Sequence, residues 1–446
     1  MNHSHAELVA TLTSRWPEHR VAPNLKRIAA LMDLLGSPQD AFPVIQVAGT
    51  NGKGSTAIMI DTLLRSAGLR VGRFASPHLS DARERINIDG EPVDEERFSQ
   101  IWEEVEPFVA MVDGQQHDGI NMTFFEVITG MAYAAFADAP VDVAVVEVGL
   151  GGRWDATSVA TPAVAVVTPV GLDHTHILGT NLGKVALEKA GIIKSGSTAV
   201  LAGQDPEAAK VLLARAVQVG AEVRAEGVDF ALLDRQLAVG GQVLRIDTAS
   251  GPVGDLFLPL FGEHMAHNAA LAVAAVESFL GGKELSPEVI SDGLAAVEAP
   301  ARLEVVRSSP TIVLDTAHNP AAARVTMQAA AESFAFPHMV GVIAMMADKD
   351  AEACLRIFAE EMDEVVITKT KNSPRAMPVD ELADIADGIW GPDRVHRMAT
   401  MPEAIDHAIM RADLAGAQAG VMIVGSLIAA GEARDLLVRP KEDDQR

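Results

Sequence analysis

Residues 42 to 74 switch between two periodicities, and that switch constrains the fold more than any other feature of the chain. The run "FPVIQVAG" is short, apolar and β-rich and ends in glycine. "STAIMIDTLLRSAG" then carries apolar residues at helical spacing and closes on Gly68, and "LRVGRFAS" is a second apolar run. Strand, helix and strand in this order make a βαβ unit. Similar strands recur at "VDVAVVEVG" and "AVAVVTPVG", separated from helical patterns such as "FEVITGMAYAAFADA" and "KVALEKAGIIK". Near-continuous apolar strands alternating with helices predict a parallel sheet covered on both faces.

With 446 residues the chain exceeds one ordinary core, so two domains are expected. From about 228 to 260 the pattern becomes short and turn-rich, as in "LAVGGQVLRIDTASG", which predicts a small antiparallel insertion. A helix follows near "HMAHNAALAVAAVESF". Pro300 in "AVEAPARLEV" interrupts the pattern and marks a hinge. Beyond it "TIVLDTAHNP", "HMVGVIAMM", "DEVVITK" and "GVMIVGS" read as four strands with helices between them. The predicted domains are 1–297, with the insertion, and 298–446, ending in a frayed tail "RPKEDDQR".

Apolar residues make up 48% and charged residues 22%, enough to build a sizeable core. A formal charge of -25 provides no global field for a polyanion, which argues against nucleic acid and anionic membranes as partners. Any phosphate ligand must therefore be held by local groups. The single Cys354 rules out an internal disulfide and fits a reducing compartment. The start, "MNHSHAELVATLTSRW", has no apolar core of signal-peptide length, and the longest apolar stretches, such as "AGVMIVGSLIAA", fall short of a membrane span, so a cytoplasmic protein is expected.

"VIQVAGTNGKGSTAIMI" has a phosphate loop's Gly-Lys pair at the wrong spacing for G-x-x-x-x-G-K-[ST], because Val47 and Gly54 stand where Gly and Ser/Thr belong. The physical requirements are nevertheless met. Gly49, Gly52 and Gly54 allow a tight turn that aims backbone N–H groups at one anion at the positive end of a helix. Lys53 adds a full charge, and Ser55 or Thr56 could reach a phosphate or Mg²⁺.

Ligands of open α/β sheets collect beyond the carboxyl ends of the strands. That rule selects Ser76 after "LRVGRFA", Glu147 at the end of "VDVAVVE", and Asp173 and His174 after "AVAVVTPVGL". Singly, each has an ordinary structural reading. Together, beside a phosphate loop, they form an oxygen-rich set with one imidazole that suits Mg²⁺. Lys189 and Lys194 in "LEKAGIIK" read, from composition alone, as solvated helix lysines. In the second domain Asp315 and His318 of "LDTAHNP" follow a strand and precede a helix. Arg302 of "APARLE" sits at the hinge, either as a structural ion pair or as a phosphate ligand.

Eleven motifs in order, "VAGTNGKGST", "SPHL" with "RERI", "TFFE", "EVGLGGRWDAT", "DHTHILG", "EKAGIIK", "GEHMAHNAALA", "PARLE", "DTAHNP", "SPRA" and "GSLIAAGEAR", make the chain resemble folylpolyglutamate synthases, often also dihydrofolate synthases, of the Mur ligase superfamily. The resemblance covers nearly the whole chain. It implies an N-terminal P-loop-type domain for Mg-ATP and folate, a C-terminal Rossmann-like glutamate ligase domain, ATP between them, and a monomer. Thr50, Asn51 and the rest of the 49–56 loop, with Lys53, would then hold the β and γ phosphates, and Ser55 takes its family place. Ser76, Glu147 and His174 would be Mg²⁺ ligands, with Lys189 carbamylated by CO₂ as a further one. Asn268 would contact adenine, and Arg302, Asp315 and His318 would complete the nucleotide site. Lys53, Glu147, His174, Lys189 and His318 form the implied catalytic set. Ser76, Pro77, His78, Arg83, Thr123, Phe124, Asp155, Ala156 and Ser373 match the substrate-binding motifs.

The implied reaction joins glutamate to dihydropteroate, to reduced folates or to both, through an acyl phosphate, with domain closure about residues 297–303 to exclude water. Three positions depart from the family pattern. Thr316 stands in DGAHNP, Ala301 in PGR and Ser158 in DATN, and the first two replace glycine with a larger residue, which predicts altered local backbone. Two rival readings use the same phosphate loop. A ligase of UDP-muramoyl substrates usually has a further N-terminal domain, and here the loop begins at residue 49. An ATP-gated binding protein would need neither a carboxylate nor an amine for turnover.

Overall fold

A computed structural model describes residues 4–15, 24–371 and 373–438; the tail read at 439–446 lies outside the described residues. The chain divides into two units. One holds the residues up to Ala238 with Val243–Pro259 and Met265–Val297; the other holds Val239–Gln242, Leu260–His264 and the residues from Glu298 onward.

The first unit is built on eight strands: β1 (Val44–Ala48), β2 (Val71–Phe74), β3 (Ile86–Ile88), β4 (Glu91–Pro92), β5 (Val143–Glu147), β6 (Val164–Val167), β7 (Thr198–Leu201) and β8 (Glu222–Ala225). Their order is β4-β3-β2-β5-β1-β6-β7-β8. The run from β2 to β8 is parallel, and β3 and β4 add an antiparallel edge. All residues of β1, β5 and β6 are buried, as expected of strands covered on both faces. Val44, Ala144 and Val146 turn one face toward a core that includes helices Lys26–Leu34, Glu95–Gly114 and Phe124–Asp138. Ala48, Ala165 and Val167 belong to a second core with helices Leu182–Lys189 and Pro206–Val219.

Chain order and spatial order diverge around β1, which has β5 on one side and β6 on the other. This is a topological switch point, where loops leave the sheet in opposite directions and open a crevice. Register sets the level of that crevice, since Val47 lies opposite both Glu147 and Val166.

The turn-rich segment forms a separate three-stranded sheet, β9 (Ala231–Ala238), β10 (Gly241–Thr248) and β11 (Gly251–Leu258), with β10 central. Two-residue links between neighbouring strands force antiparallel pairing. Four strands expected in the second unit are present, as β13 (Thr311–Asp315), β14 (Met339–Ile343), β15 (Glu364–Ile367) and β17 (Gly420–Val424). Two more, β12 (Arg302–Ser308) and β16 (Val395–Arg397), extend its sheet to the order β12-β13-β17-β14-β15-β16. Only β12 is antiparallel, and β17 inserts between β13 and β14 to give a second switch point. Among the described residues no helix is long and apolar enough to cross a membrane.

Candidate functional site

The loop after β1 is held open by the segment after β6. Thr50 N–H donates to Pro169 O at 3.1 Å, Thr50 Oγ1 donates to Gly171 O at 2.9 Å, and Thr168 Oγ1 donates to Asn51 O at 2.7 Å. Gly49 and Gly52 adopt φ of 152° and 84°. A methyl on Gly49 would lie 1.7 Å from Thr168 Oγ1, so no side chain fits there. Helix Lys53–Ser66 begins directly after Gly52, with no side chain capping its first N–H groups. Those donors, the helix dipole and three glycines in six residues make an anion cradle. Lys53 Nζ folds back onto Thr50 O at 3.2 Å. Asn268, 5% exposed, lies over Gly52, where a Cβ would meet its amide at 3.0 Å. Ser55 is buried at the helix start, and Thr56 is fully buried with its hydroxyl unpartnered.

Lys189 is the buried cation of this site. It is 4% exposed, and Nζ donates to Gly49 O at 2.6 Å. Burial, reinforced by the nearby Lys53 charge, pushes its pKa down to about 7. Its helix, Leu182–Lys189, ends at this residue, so backbone geometry aims the amine at the phosphate loop. Lys194, by contrast, donates to the carbonyls of Ser158 and Ala160 at 2.6 and 2.7 Å, which is a structural role.

Glu147 ends β5 and is 6% exposed, and the Ser76 backbone N–H donates to its Oε2 at 3.1 Å, which ties the segment after β2 to this carboxylate. His174 has φ 49°, and its N–H donates to Asp173 Oδ1 at 2.7 Å. A carboxylate at a strand end, with a hydroxyl-bearing residue bonded to it through its backbone, supplies oxygen ligands of the kind a hard divalent ion prefers. Among the described residues no three His, Cys, Asp or Glu side chains converge, so such an ion would complete its shell from water and phosphate oxygens.

The substrate-motif residues divide into two groups. His78, after the cis Ser76–Pro77 bond, accepts at Nδ1 from Arg85 Nε at 2.8 Å, and the Arg85 guanidinium lies 5.0 Å from the Phe124 ring centroid. Arg85, which sequence reasoning passed over, thus joins two of the expected residues. Arg83 instead turns to Asp81 at 3.1 Å. Thr123 caps helix Phe124–Asp138 in a reciprocal pair with Glu126, whose carboxylate is gripped by the buried Arg27 at 2.9–3.0 Å. Asp155 is buried, which raises its pKa, and it accepts from Leu150 N and Thr157 N at 2.9 and 3.0 Å; Ala156 is buried beside it. Ser158 Oγ donates to Gly152 O at 2.6 Å and accepts from Gln46, so it braces this loop.

In the second unit Asp315 ends β13 opposite Arg302. Burial raises its pKa, Arg302 counteracts this, and its oxygens accept from Ala317 N, Leu303 N and Thr326 Oγ1 at 2.8–3.1 Å. Ala301 keeps a left-handed φ of 54°, a conformation for which glycine is the unstrained residue. Thr316 lies outside that region, so no glycine is required there. His318 Nδ1 donates to Thr316 O at 2.9 Å, which fixes its tautomer. Ser373 Oγ accepts from Arg375 N at 3.3 Å, in a loop where Arg375 holds Asp348 at 2.7 and 2.8 Å.

Comparison with known proteins follows the same two-part division. Residues 95–276 match the Mur ligase middle domain and residues 301–427 the Mur ligase glutamate ligase domain. A dihydrofolate synthase/folylpolyglutamate synthase of Mycobacterium tuberculosis is 46% identical, over 96% of this chain and 93% of that protein. The Escherichia coli protein of the same description is 34% identical, over 76% of each. Among solved structures, Mycobacterium tuberculosis folylpolyglutamate synthase complexed with ADP superposes with a TM-score of 0.94 at 46% identity, covering 98% of this chain and 99% of that one. The Escherichia coli protein in complex with DHPP and ADP gives 0.84 at 29% identity, covering 97% of each.

Proposed function

The chain belongs to the Mur ligase family, in its folylpolyglutamate synthase branch, and from that membership we propose that it is an ATP-dependent ligase that forms an amide between L-glutamate and the carboxylate of dihydropteroate and of reduced folates. The observation that supports this reading is an uncapped helix N-terminus with Lys53, the buried amine of Lys189 on Gly49 O, and the Glu147 carboxylate bonded by Ser76 N–H, all at the ends of four adjacent strands.

A carboxylate acylates amines poorly because its oxide is a bad leaving group. In the proposed reaction a substrate carboxylate oxygen bonds to the γ-phosphorus of ATP as the bond to the β-phosphate oxygen breaks, giving an acyl phosphate and ADP. The neutral amine of glutamate then bonds to the acyl carbon, phosphate leaves, and the amine's proton is lost to solvent or a base. The phosphate-loop amides and Lys53 bind and orient the phosphates and stabilise the charge that moves during transfer. Ser76, Glu147 and His174 are the proposed holders of Mg²⁺, which neutralises phosphate charge when bound. Lys189, with its pKa near 7, has a large neutral fraction at physiological pH, as addition to CO₂ requires; carbamylation would exchange its cation for an anion. Arg302, Asp315 and His318 of the second unit are proposed nucleotide contacts, and Ser373 a glutamate contact.

The test is product mass after incubation with Mg-ATP, glutamate and either dihydropteroate or tetrahydrofolate. One added glutamyl mass in each mixture is expected. ADP release with no glutamyl product in either would overturn the folate reading, and turnover that needs neither carboxylate nor amine would favour an ATP-gated protein.

A further inference from the structure

Beyond the ends of β6 and β7 the sheet is braced by a side chain that no step of the proposed chemistry uses. The two strands pair through Val167 and Leu201, and Ala202 N–H donates to Val167 O at 3.0 Å where that pairing ends. Past this point the backbone of Thr168 and Val170, both buried, needs partners from elsewhere. Gln204 supplies them. Its Oε1 accepts from Val170 N–H at 3.0 Å, and its Nε2 donates to Thr168 O at 3.1 Å and to Val167 O at 3.3 Å. A primary amide carries the donor and acceptor of a peptide group, so this half-buried side chain continues the hydrogen bonding of the sheet past the end of β7.

The segment it braces is the one that shapes the phosphate loop. Thr168 Oγ1 donates to Asn51 O, Pro169 O accepts from Thr50 N–H, and Gly171 both donates to and accepts from the Thr50 hydroxyl, each at 2.9 Å. There is no slack in this contact, because Gly49 packs on Thr168 too closely to carry even a methyl group. A displacement of Thr168 therefore becomes a displacement of the loop. On its other side Gln204 is anchored through its neighbour, since Gly203 N–H donates to Glu226 Oε2 at 2.7 Å. Glu226 follows β8, and its Oε1 is bonded to His267 Nδ1 on helix Glu263–Phe279. The next residue, Asn268, lies over Gly52. These contacts close a ring across the ends of β1, β6, β7 and β8, in which Gln204 makes the step from β7 to β6.

Resting on the nucleotide role proposed above for the phosphate loop, we infer that Gln204 is a positioning residue for ATP: it sets the segment from Thr168 to Gly171 and, through it, the aim of the loop's N–H groups at the phosphates.

Binding of a fluorescent ATP analogue, and steady-state kinetics with each of the three substrates varied in turn, test this. Q204A should raise the Kd of the analogue and the KM for ATP by about tenfold, within the roughly hundredfold that a displacement of about 1 Å can cost, with the KM values for glutamate and the carboxylate substrate unchanged. Q204E keeps the size of the side chain and the bond from Val170 N–H, but it turns a bare carboxylate oxygen toward two carbonyls. It should weaken ATP at least as much as Q204A, whereas a space-filling role predicts no change. T168V, which keeps volume and loses the bond to Asn51, should also weaken ATP selectively, and T168S should recover most of the loss. The double variant Q204A/T168V should lose less than the product of the two single effects, since both act on one segment.

A native Kd in Q204E, an equal rise in all three KM values, or a double variant that loses the full product would each overturn the inference while leaving the ligase reading intact. Thermal unfolding shows which variants are folded, and a lowered midpoint with an unchanged Kd for the analogue would make Gln204 purely structural. Q204E and T168V preserve volume and carry the test if Q204A does not fold. A native protein that binds the analogue but glutamylates neither carboxylate loses the ligase reading alone, and the Kd values still decide the inference. A native protein that does not bind it removes both.

Discussion

A buried lysine whose amine sits against a backbone carbonyl makes the stability of the ligand-free protein depend on pH in a definite direction. Lys189 titrates at about 7 in the fold against 10.5 in a free chain. Below pH 7 both states hold the proton, and the full cost of a buried cation is present. Between 7 and 10.5 only the unfolded chain holds it, so stability rises with pH across that window. Replacing Lys189 with Met removes this cost along with one hydrogen bond. The K189M protein should be more stable than the native one at pH 6, by up to about 4 kcal/mol, with the gap closing toward pH 10. Denaturant midpoints at pH 6, 8 and 10 measure it, and a gap that does not shrink contradicts the buried-cation account. At this scale Gly49, Gly52 and Lys53 were legible because loop, glycine and charge are local in sequence. Thr168, which fixes that loop across more than a hundred residues, was not. Nor was the pairing of Arg85 rather than Arg83 with His78, since two neighbouring arginines carry the same sequence signal and only the local turn decides which one points inward.

At the level of elements, the strands read correctly are the interior ones, whose apolar runs are nearly continuous. Those missed lie mostly toward sheet edges: β8 has no fully buried residue and β12 only one, so neither carries a run of apolar residues. Helix Phe124–Asp138 was legible from its periodicity, but the work of its first turn was not. "TFFE" reads as a substrate motif by resemblance, and the fold uses its Thr and Glu as a capping box anchored by Arg27. T123A should therefore cost about 1 kcal/mol of stability, with T123S recovering most of it. Thermal unfolding of the two variants is the measurement. An unchanged midpoint in T123A would leave the hydroxyl with a ligand-binding role only.

On the scale of the whole molecule, a tetra-anionic nucleotide has to approach a protein that itself carries a formal charge of -25. At about 0.01 M salt the screening length is roughly 30 Å, and the approaching nucleotide is repelled by most of the surface. At about 0.1 M it shrinks to roughly 10 Å, which leaves the local field of Lys53 and the uncapped helix N-terminus to act alone. Raising salt between these limits should therefore speed association of ATP. Further salt should then slow it modestly, as the local attraction is screened in its turn. A nucleic-acid-binding surface behaves in the opposite way, its affinity falling steeply and continuously with salt. Stopped-flow association of a fluorescent ATP analogue from about 0.01 to 0.5 M salt distinguishes the two. A maximum near 0.1 M is expected from a local cationic cradle within an acidic molecule. A monotonic decline from the lowest salt would mean that the cradle's field reaches beyond the acidic surface, and that the charge balance of the whole chain says little about how its ligand arrives.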